Sequence, residues 1–152
     1  SCVPLIQRNI QNLLVRNINE NPQDPVLATY CRKINKADGH LDFSAKASHL
    51  VDRIRAFRSW PGCGLLIDGQ KFRIGSAKSL ENNILLDVGV TQIDSDGNVM
   101  IGTGEGILIL HELQRPGGKM LKSSDFLRGY EFPVGQTLES YDMAQLVIPT
   151  KE

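Results

Sequence analysis

Lysine and arginine are concentrated in one part of this sequence, and positively charged side chains are the groups that bind phosphates. The segment 32–78 has ten lysines and arginines against four aspartates, whereas the segment 79–114 has six acidic residues and neither lysine nor arginine. The net charge of zero, from 17 basic and 17 acidic residues, hides this separation. A fold that keeps the two segments apart would present a positive face to a polyanion, whereas a fold that interleaves them would not.

Other motifs that suggest chemistry are incomplete. The segment 102–106 (GTGEG) looks like a nucleotide-binding loop, but Ile107 occupies the place of the third glycine and strands are predicted on both sides, so we interpret it as a turn. The segment 94–98 (DSDGN) resembles part of a calcium loop, yet its glycine comes fourth instead of sixth. No serine or cysteine has a recognisable base nearby, and no metal-ligand spacing joins the histidines His40, His49 and His111. We therefore predict no metal site and no catalytic residue.

Length and composition are those of one globular domain with at most a small appendage. The chain has 152 residues, of which 41% are hydrophobic and 22% charged, enough to bury a core. No apolar run approaches the roughly 18 residues that a membrane span needs, and Arg8 and Arg16 interrupt the N-terminal segment, so we expect neither a span nor a signal peptide. The three cysteines are scattered and form no CxxC pair, so we expect no disulfide framework. A reducing cytoplasm is the simpler setting for such a chain.

Two helices are predicted in the first 60 residues. Apolar residues recur at helical spacing between Leu5 and Ile18, which predicts an amphipathic helix followed by an extended linker at Pro22–Pro25. A short strand at 41–43 and a second helix at about 44–58, with Ser44 as its N-cap, come next. On that helix Lys46, His49 and Arg53 fall opposite the apolar residues, so its outer face is expected to be cationic.

The rest of the chain is predicted to be mainly β. Asp68-Gly69 and Asp96-Gly97 each lie between short apolar runs, which predicts two hairpins whose central residues have positive φ. A further strand is predicted at 107–110, and Ser123 or Ser124 is expected to cap a short helix. Five or six short strands with two small helices favour a closed or nearly closed small barrel. The aromatic residues in apolar contexts are expected to be core, not stacking platforms: Phe43, Phe57, Trp60, Phe72 and Phe126.

Three stretches, in this order and spacing, resemble the C-terminal domain of methionyl-tRNA formyltransferases over roughly residues 22–138. They are 22–34, with Pro-Gln and ATYCRKI; 41–62, with LDF, IRAF and WPG; and 102–119, with GTGEG, Leu-Gln and Gly-Lys. Phe43 and Cys31 depart from the family's usual Trp and Ala, and Gly117-Gly118 enlarges one turn. The resemblance implies an OB-like barrel, joined by the linker to an N-terminal folate-binding domain.

The resemblance also implies how the chain is organised. It implies a helix at 1–20 like the end of the formyltransferase domain, a linker at 21–33, an OB-like barrel at 34–140 and a tail of unassigned role at 141–152. The family's catalytic Asn, His and Asp belong to the N-terminal domain, and no motif here replaces them, so we expect no formyl transfer by this segment alone. The cofactor, 10-formyltetrahydrofolate, would serve the parent enzyme and not this chain.

As a C-terminal domain of this family, the chain would bind initiator tRNA through phosphate contacts and hold it toward the N-terminal formyltransferase domain. The candidate contacts lie at the linker exit, on the second helix and around the glycine-rich turn, where glycines let backbone approach a phosphate. They are Arg32, Lys33, Lys36, Lys46, Arg53, Arg115, Lys119 and Lys122. The alternative is a structural or dimerisation barrel in a formyltransferase that acts on another amine.

The apolar stripe of the first helix predicts self-association. Ile6, Ile10, Leu14 and Ile18 lie on one face, and an apolar stripe of this size in water favours pairing with a second copy. Sedimentation velocity over a range of concentrations is expected to show a monomer–dimer equilibrium that a double variant, Ile6→Gln with Ile10→Gln, abolishes. A chain that stays strictly monomeric at high concentration, with this helix exposed, would contradict the prediction.

Overall fold

The computed structural model describes residues 2–17, 21–81 and 86–148. Its contacts divide the chain into two compact units. One unit comprises Ser1–Cys31 with Val147–Glu152, and the other comprises Arg32–Leu146. Within the described residues, no helix is long and apolar enough to cross a membrane.

The first unit contains the predicted amphipathic helix, α1 (Cys2–Leu14), and none of its residues is buried. The helix ends earlier than predicted because Arg16 takes a left-handed backbone conformation with φ of 54°. Ile6, Ile10 and Leu14 of the predicted stripe are exposed, while Ile18 lies outside the described residues. The prolines that follow form a short 3₁₀ turn, Pro25–Leu27, capped by the Asp24 side chain.

A two-stranded antiparallel ladder completes this unit. Strand β1 (Tyr30–Cys31) pairs with β8 (Val147–Ile148), so part of the tail returns to the linker. The sequence did not indicate this pairing, because two-residue strands carry no periodic pattern.

The second unit is built on one curled antiparallel sheet, and the predicted fold class, a mainly β, OB-like barrel with short helices, is confirmed as a half-barrel. Its strands are in the order β2-β3-β6-β5-β4, and β7 pairs with the far end of β6. The strands are β2 (Gly64–Ile67), β3 (Gln70–Leu80), β4 (Thr91–Ile93), β5 (Val99–Gly102), β6 (Ile107–Gln114) and β7 (Met120–Lys122). Strand β6 occupies the centre because it bonds to three others.

Both predicted hairpins are present, but only one has the predicted turn. Asp68 and Gly69 connect β2 to β3 with φ of 51° and 73°, as a tight two-residue turn requires. Between β4 and β5 the loop has five residues, 94–98, and only its glycine has positive φ. The Asp94 carboxylate accounts for the longer loop, since its Oδ1 accepts the N–H groups of Asp96 at 2.9 Å and Asn98 at 2.7 Å.

The predicted strand at 41–43 and the Ser44 cap are wrong. Leu41 and Phe43 are buried, but this segment runs into a turn in which the amide and hydroxyl of Ser44 both donate to the Asp42 carboxylate. Because Ser44 is held in that turn, the helix begins later than predicted, as α2 (Ala47–Ala56), without a side-chain cap.

The predicted short helix near the C-terminus is confirmed as α3 (Ser123–Leu127), and its predicted serine cap is wrong. Ser123 is the first residue of the helix, and its hydroxyl accepts the N–H of Val99 at 3.2 Å, which ties α3 to the sheet.

The hydrophobic core lies between the concave sheet, α2 and α3. Four of the five predicted core aromatics are buried: Phe43, Phe57, Phe72 and Phe126. The fifth prediction is wrong, since Trp60 is 53% exposed in the loop after α2. All three cysteines are free, and burial raises the pKa of the Cys63 thiol to about 11, which makes it a core residue and not a nucleophile.

The glycine-rich segment 102–106 is a turn between β5 and β6, as predicted, and its middle glycine is needed for space. Gly104 donates its N–H to the carbonyl oxygens of Phe43 at 2.9 Å and Ala45 at 3.2 Å. A Cβ atom on this residue would overlap the carbonyl oxygen of Ser44. The turn is therefore fastened to the segment that precedes α2.

We expect Gly104→Ala to destabilise the fold by about 2–3 kcal/mol, because the methyl group would push this turn off Ser44. Urea unfolding followed by circular dichroism measures the change. The matched control is Gly118→Ala, where the nearest atom to a new Cβ is 3.4 Å away, and a change within about 0.5 kcal/mol is expected. Equal decreases in the free energy of unfolding of the two variants would contradict this explanation.

Candidate nucleic-acid interface

The carboxylate of Asp38 organises the basic residues at the start of the second unit. Asp38 belongs to a 3₁₀ turn, Lys36–Gly39, that Asn35 caps, and it is only 2% exposed. The Arg32 guanidinium binds both carboxylate oxygens, and the Asn35 N–H donates to Oδ2 at 2.7 Å. Arg53 approaches from α2, with Nη2 3.9 Å from Oδ1 and Nε donating to the Asp38 carbonyl oxygen at 3.0 Å.

These contacts keep Asp38 ionised. Hydrogen bonds from Arg32, and then from the Asn35 N–H, lower the pKa of Asp38 to about 2, although burial acts in the opposite direction. The same hydrogen bond raises the pKa of Arg32. One negative charge therefore holds two guanidinium groups together, and the cluster keeps a net positive charge.

The prediction that Arg53 lies on the outer, solvent-facing side of α2 is wrong. Its guanidinium carbon is 5.1 Å from the centre of the Phe57 ring, and its Nη2 is buried with no hydrogen-bond partner among the described residues. The residue turns toward Asp38, whose backbone carbonyl accepts its Nε–H and whose buried carboxylate requires an opposite charge nearby.

One close backbone approach and one lysine side chain bring β3 beside this cluster. A Cβ on Gly39 would overlap the Gly62 carbonyl oxygen and lie 3.3 Å from Nζ of Lys71. Lys71 is exposed on β3, two residues before Arg73, so both side chains point to the same side of that strand. Arg73 Nη2 donates to the carbonyl oxygens of Arg58 at 2.6 Å and Ser59 at 3.2 Å.

These residues form one basic surface, defined here as Arg32, Lys33, Lys36, Arg53, Lys71 and Arg73. Lys33 and Lys36 are exposed beside Asp38. A recess of about 290 Å³ adjoins them, and its lining includes Arg32, Lys33 and His40 together with the acidic residues Asp38 and Asp142. The His40 ring lies 4.9 Å from the ring of Tyr141 at the edge of this recess. The surface is suited to bind an extended anion, because lysines present point charges around a fixed guanidinium pair.

The structure brings four of the eight predicted contacts together, and it places the other four elsewhere. Arg32, Lys33, Lys36 and Arg53 surround Asp38. Lys46 precedes α2 and pairs with Glu105. Arg115 lies 5.6 Å from the centres of the Phe126 and Tyr130 rings and donates to a backbone carbonyl, which gives it a structural role. Lys119 and Lys122 are exposed beside β7.

Sequence reasoning missed Asp38, Lys71 and Arg73. The spacing of Asn35 and Asp38, a capping pair three residues apart, could have revealed a turn that buries the acid. The i, i+2 spacing of Lys71 and Arg73 on a predicted strand could have placed both on one face. The basic and acidic segments interleave in part, since Lys46 pairs with Glu105 and Arg58 Nη2 lies 3.9 Å from Glu112.

The near-match to a calcium loop is explained by hairpin geometry. Asp94 directs its carboxylate to the N–H groups of its own loop and to the Asn98 amide at 2.9 Å. Within the ranges that the structure describes, no three His, Cys, Asp or Glu side chains are grouped to hold a metal ion.

Comparison with known proteins identifies relatives. The family model described as "Formyl transferase, C-terminal domain" matches residues 33–131. The chain is 32% identical over 123 residues to the methionyl-tRNA formyltransferase of Sulfurihydrogenibium sp. (strain YO3AOP1), covering 80% of this chain and 40% of that protein. It is 35% identical over 131 residues to the enzyme of that name from Pseudomonas paraeruginosa (strain DSM 24068 / PA7), covering 85% and 42%. The chain thus spans about 40% of the length of these curated relatives.

Solved structures share the fold. The crystal structure of HypX from Aquifex aeolicus in complex with tetrahydrofolic acid matches with a TM-score of 0.63 and 16% sequence identity, over 96% of this chain and 26% of that one. A variant of HypX matches with a TM-score of 0.62 and 18% identity, over 85% of this chain and 24% of that one. At these identities the likeness concerns the fold alone.

Replacing Asp38 tests whether its charge holds the basic surface together. Asp38→Asn leaves two guanidinium groups without a counter-charge, so we expect the Tm at pH 7 to fall by roughly 5–10 °C. Because the pKa of Asp38 is lowered from 3.8 to about 2, its stabilisation is full above 3.8 and is lost as the pH falls through about 2. The Tm difference between wild type and variant should therefore narrow below pH 3.8.

The control for this variant is Asp52→Asn, since Asp52 forms an exposed pair with Arg55 at 2.9 Å. An exposed ion pair contributes little to stability, so we expect the Tm of this variant to change by about 1 °C or less. Thermal melts between pH 2.5 and 7 give both comparisons. A Tm difference for Asp38→Asn that stays the same at every pH would show that the effect is not electrostatic.

Proposed function

Because this chain belongs to the family of formyl transferase C-terminal domains, we propose that it binds the phosphate backbone of tRNA and orients the acceptor end toward a separate formyl-transferring domain. The parent enzyme would transfer a formyl group from 10-formyltetrahydrofolate to initiator methionyl-tRNA in the cytoplasm. In this proposal the folate and the bond-making residues belong to the separate domain. The names of the relatives, methionyl-tRNA formyltransferases that this chain covers only in part, support this division.

One observation carries the proposal: two arginines converge on a single buried carboxylate, and exposed lysines surround them. Asp38 fixes the guanidinium groups before any ligand arrives, so little side-chain entropy is lost on binding. The lysines add charge that displaces counterions from a phosphate backbone. Such contacts position a nucleic acid without reading its sequence.

A second candidate is a structural or dimerisation barrel in a formyltransferase that acts on a different amine. The family description favours it, since it names formyl transferases in general and no particular formyl acceptor. The two candidates differ in what the basic surface does. Only the first requires these side chains to bind a polyanion.

The salt dependence of tRNA binding separates the two functions. Affinity is expected to fall with salt, with a slope of roughly −0.7 to −0.9 for each phosphate neutralised. The double variant Lys33→Ala with Lys71→Ala should lower the magnitude of the slope by roughly 1.4–1.8 and weaken binding at low salt by roughly tenfold or more. Fluorescence anisotropy with labelled tRNA measures both quantities.

The matched control is Arg128→Ala with Lys78→Ala, which removes the same charge from exposed positions outside the basic surface. The control should leave the slope within about 0.5 of the wild-type value. Equal slopes for all three proteins, or no preference for tRNA over a neutral polymer at low salt, would reject the tRNA role.

A further inference from the structure

Trp60 is the single tryptophan of the chain, and its side chain is exposed beside the basic surface. Large aromatic side chains usually bury most of their area, and all five phenylalanines of this unit do so. Among the described residues, no ring contact, cation–π contact or hydrogen bond involves the indole. Folding therefore leaves one broad apolar face in water.

The loop that carries Trp60 is held firmly at both ends. The Gly62 N–H donates to the Phe57 carbonyl oxygen at 2.9 Å, and Phe57 is buried in the core. The Arg73 guanidinium holds the carbonyl oxygens of Arg58 and Ser59, the two residues before Trp60. The backbone beneath the indole is thus fixed, which reduces the entropy lost when a ligand packs on the ring.

The charges next to this loop are mainly positive. Arg73 lies beside it, and Lys71 is on the same side of β3. Arg58 is exposed in the loop, and Glu112, 3.9 Å from its guanidinium, is the acid that contacts it. An exposed ring among cations suits a ligand with flat apolar faces and a negative backbone.

We propose that Trp60 is a stacking platform for an unpaired nucleotide base, with Arg58, Lys71 and Arg73 contacting the phosphates on either side of that base. The inference rests on the proposed function and adds a single-stranded element to it, since a base within a duplex has no free face to offer. Stacking on an aromatic side chain accepts any base, so this contact would add affinity without sequence preference. The indole N–H is free to donate to a phosphate or sugar oxygen.

Tryptophan fluorescence tests the proposal directly, because all indole emission of this chain comes from Trp60. The probes are a single-stranded hexauridylate RNA and an abasic oligomer with the same number of phosphates. We expect the RNA to quench the emission and to bind at least fivefold more tightly than the abasic oligomer. Equal affinity for both probes, with no quenching by either, would overturn the proposal.

Two substitutions test whether binding requires an aromatic ring or only a large apolar side chain. Trp60→Phe keeps an aromatic ring and should bind labelled hexauridylate within about threefold of wild type, whereas Trp60→Leu should lose roughly tenfold. The control is Tyr30→Leu, which removes a 61% exposed aromatic residue of the other unit and should change nothing. Circular dichroism melts should show that all three variants keep the wild-type Tm. Equal losses of affinity in the phenylalanine and leucine variants would overturn stacking.

The salt slope shows which of the two proposals fails. Trp60→Leu removes no charge, so it should lower affinity at every salt concentration without changing the slope. If Lys33→Ala with Lys71→Ala lowers the slope but Trp60→Leu leaves affinity unchanged, the stacking platform is wrong and the phosphate-binding role stands. If Trp60→Leu lowers affinity while the lysine variant keeps the wild-type slope, the phosphate-binding role is wrong.

Discussion

The burial of one ionised carboxylate determines how the basic side chains of this domain are arranged. Asp38 is almost fully covered, so its charge requires partners, and Arg32 and Arg53 supply them from the start of the unit and from α2. Removing either arginine would leave part of a buried charge uncompensated, which is why such networks persist once formed. The same interaction joins three parts of the chain that the sheet does not connect. The conformation at the start of the second unit is thus set by charge, whereas the rest of the unit depends on its apolar core.

The barrel supports this arrangement through close backbone contacts. Gly39 lies so close to the Gly62 carbonyl oxygen that it has no room for a side chain, and that approach puts the Trp60 loop beside the Asp38 turn. A Cβ on Gly62 would instead meet the Arg73 guanidinium. Gly104 makes a similar contact with the segment before α2. Three glycines in separate stretches of sequence therefore position the groups that we assign to nucleic acid. None of them touches the ligand in our proposal, yet each decides where a ligand-binding residue lies.

Predictions from the sequence were accurate where a local pattern of residues carries the information, and they failed where a side-chain partner outside that pattern decides. Short apolar runs around the Asp-Gly pairs were enough to predict both hairpins. Helical spacing predicted α1 and α2, whereas α3 was predicted from a serine cap that the structure does not show. The Ser44 cap failed because Asp42, two residues away, captures the hydroxyl. Arg53 was assigned to the solvent face by its helical angle, but its long side chain donates to the Asp38 backbone carbonyl and lies near the Asp38 carboxylate, 15 residues earlier in the chain. Trp60 was assigned to the core by its apolar sequence context, which says nothing about the direction in which a loop points.

The negative charge inside the basic surface also bears on how long a complex lasts. Asp38 stays ionised at neutral pH and cancels part of the field of two arginines, so a polyanion resting there is held less tightly than the number of cations suggests. Weaker retention means faster departure, because changes in affinity at one surface act mostly on the dissociation rate. If the domain delivers a nucleic acid to a separate catalyst, as we propose, an internal counter-charge would favour release of the product and repeated binding.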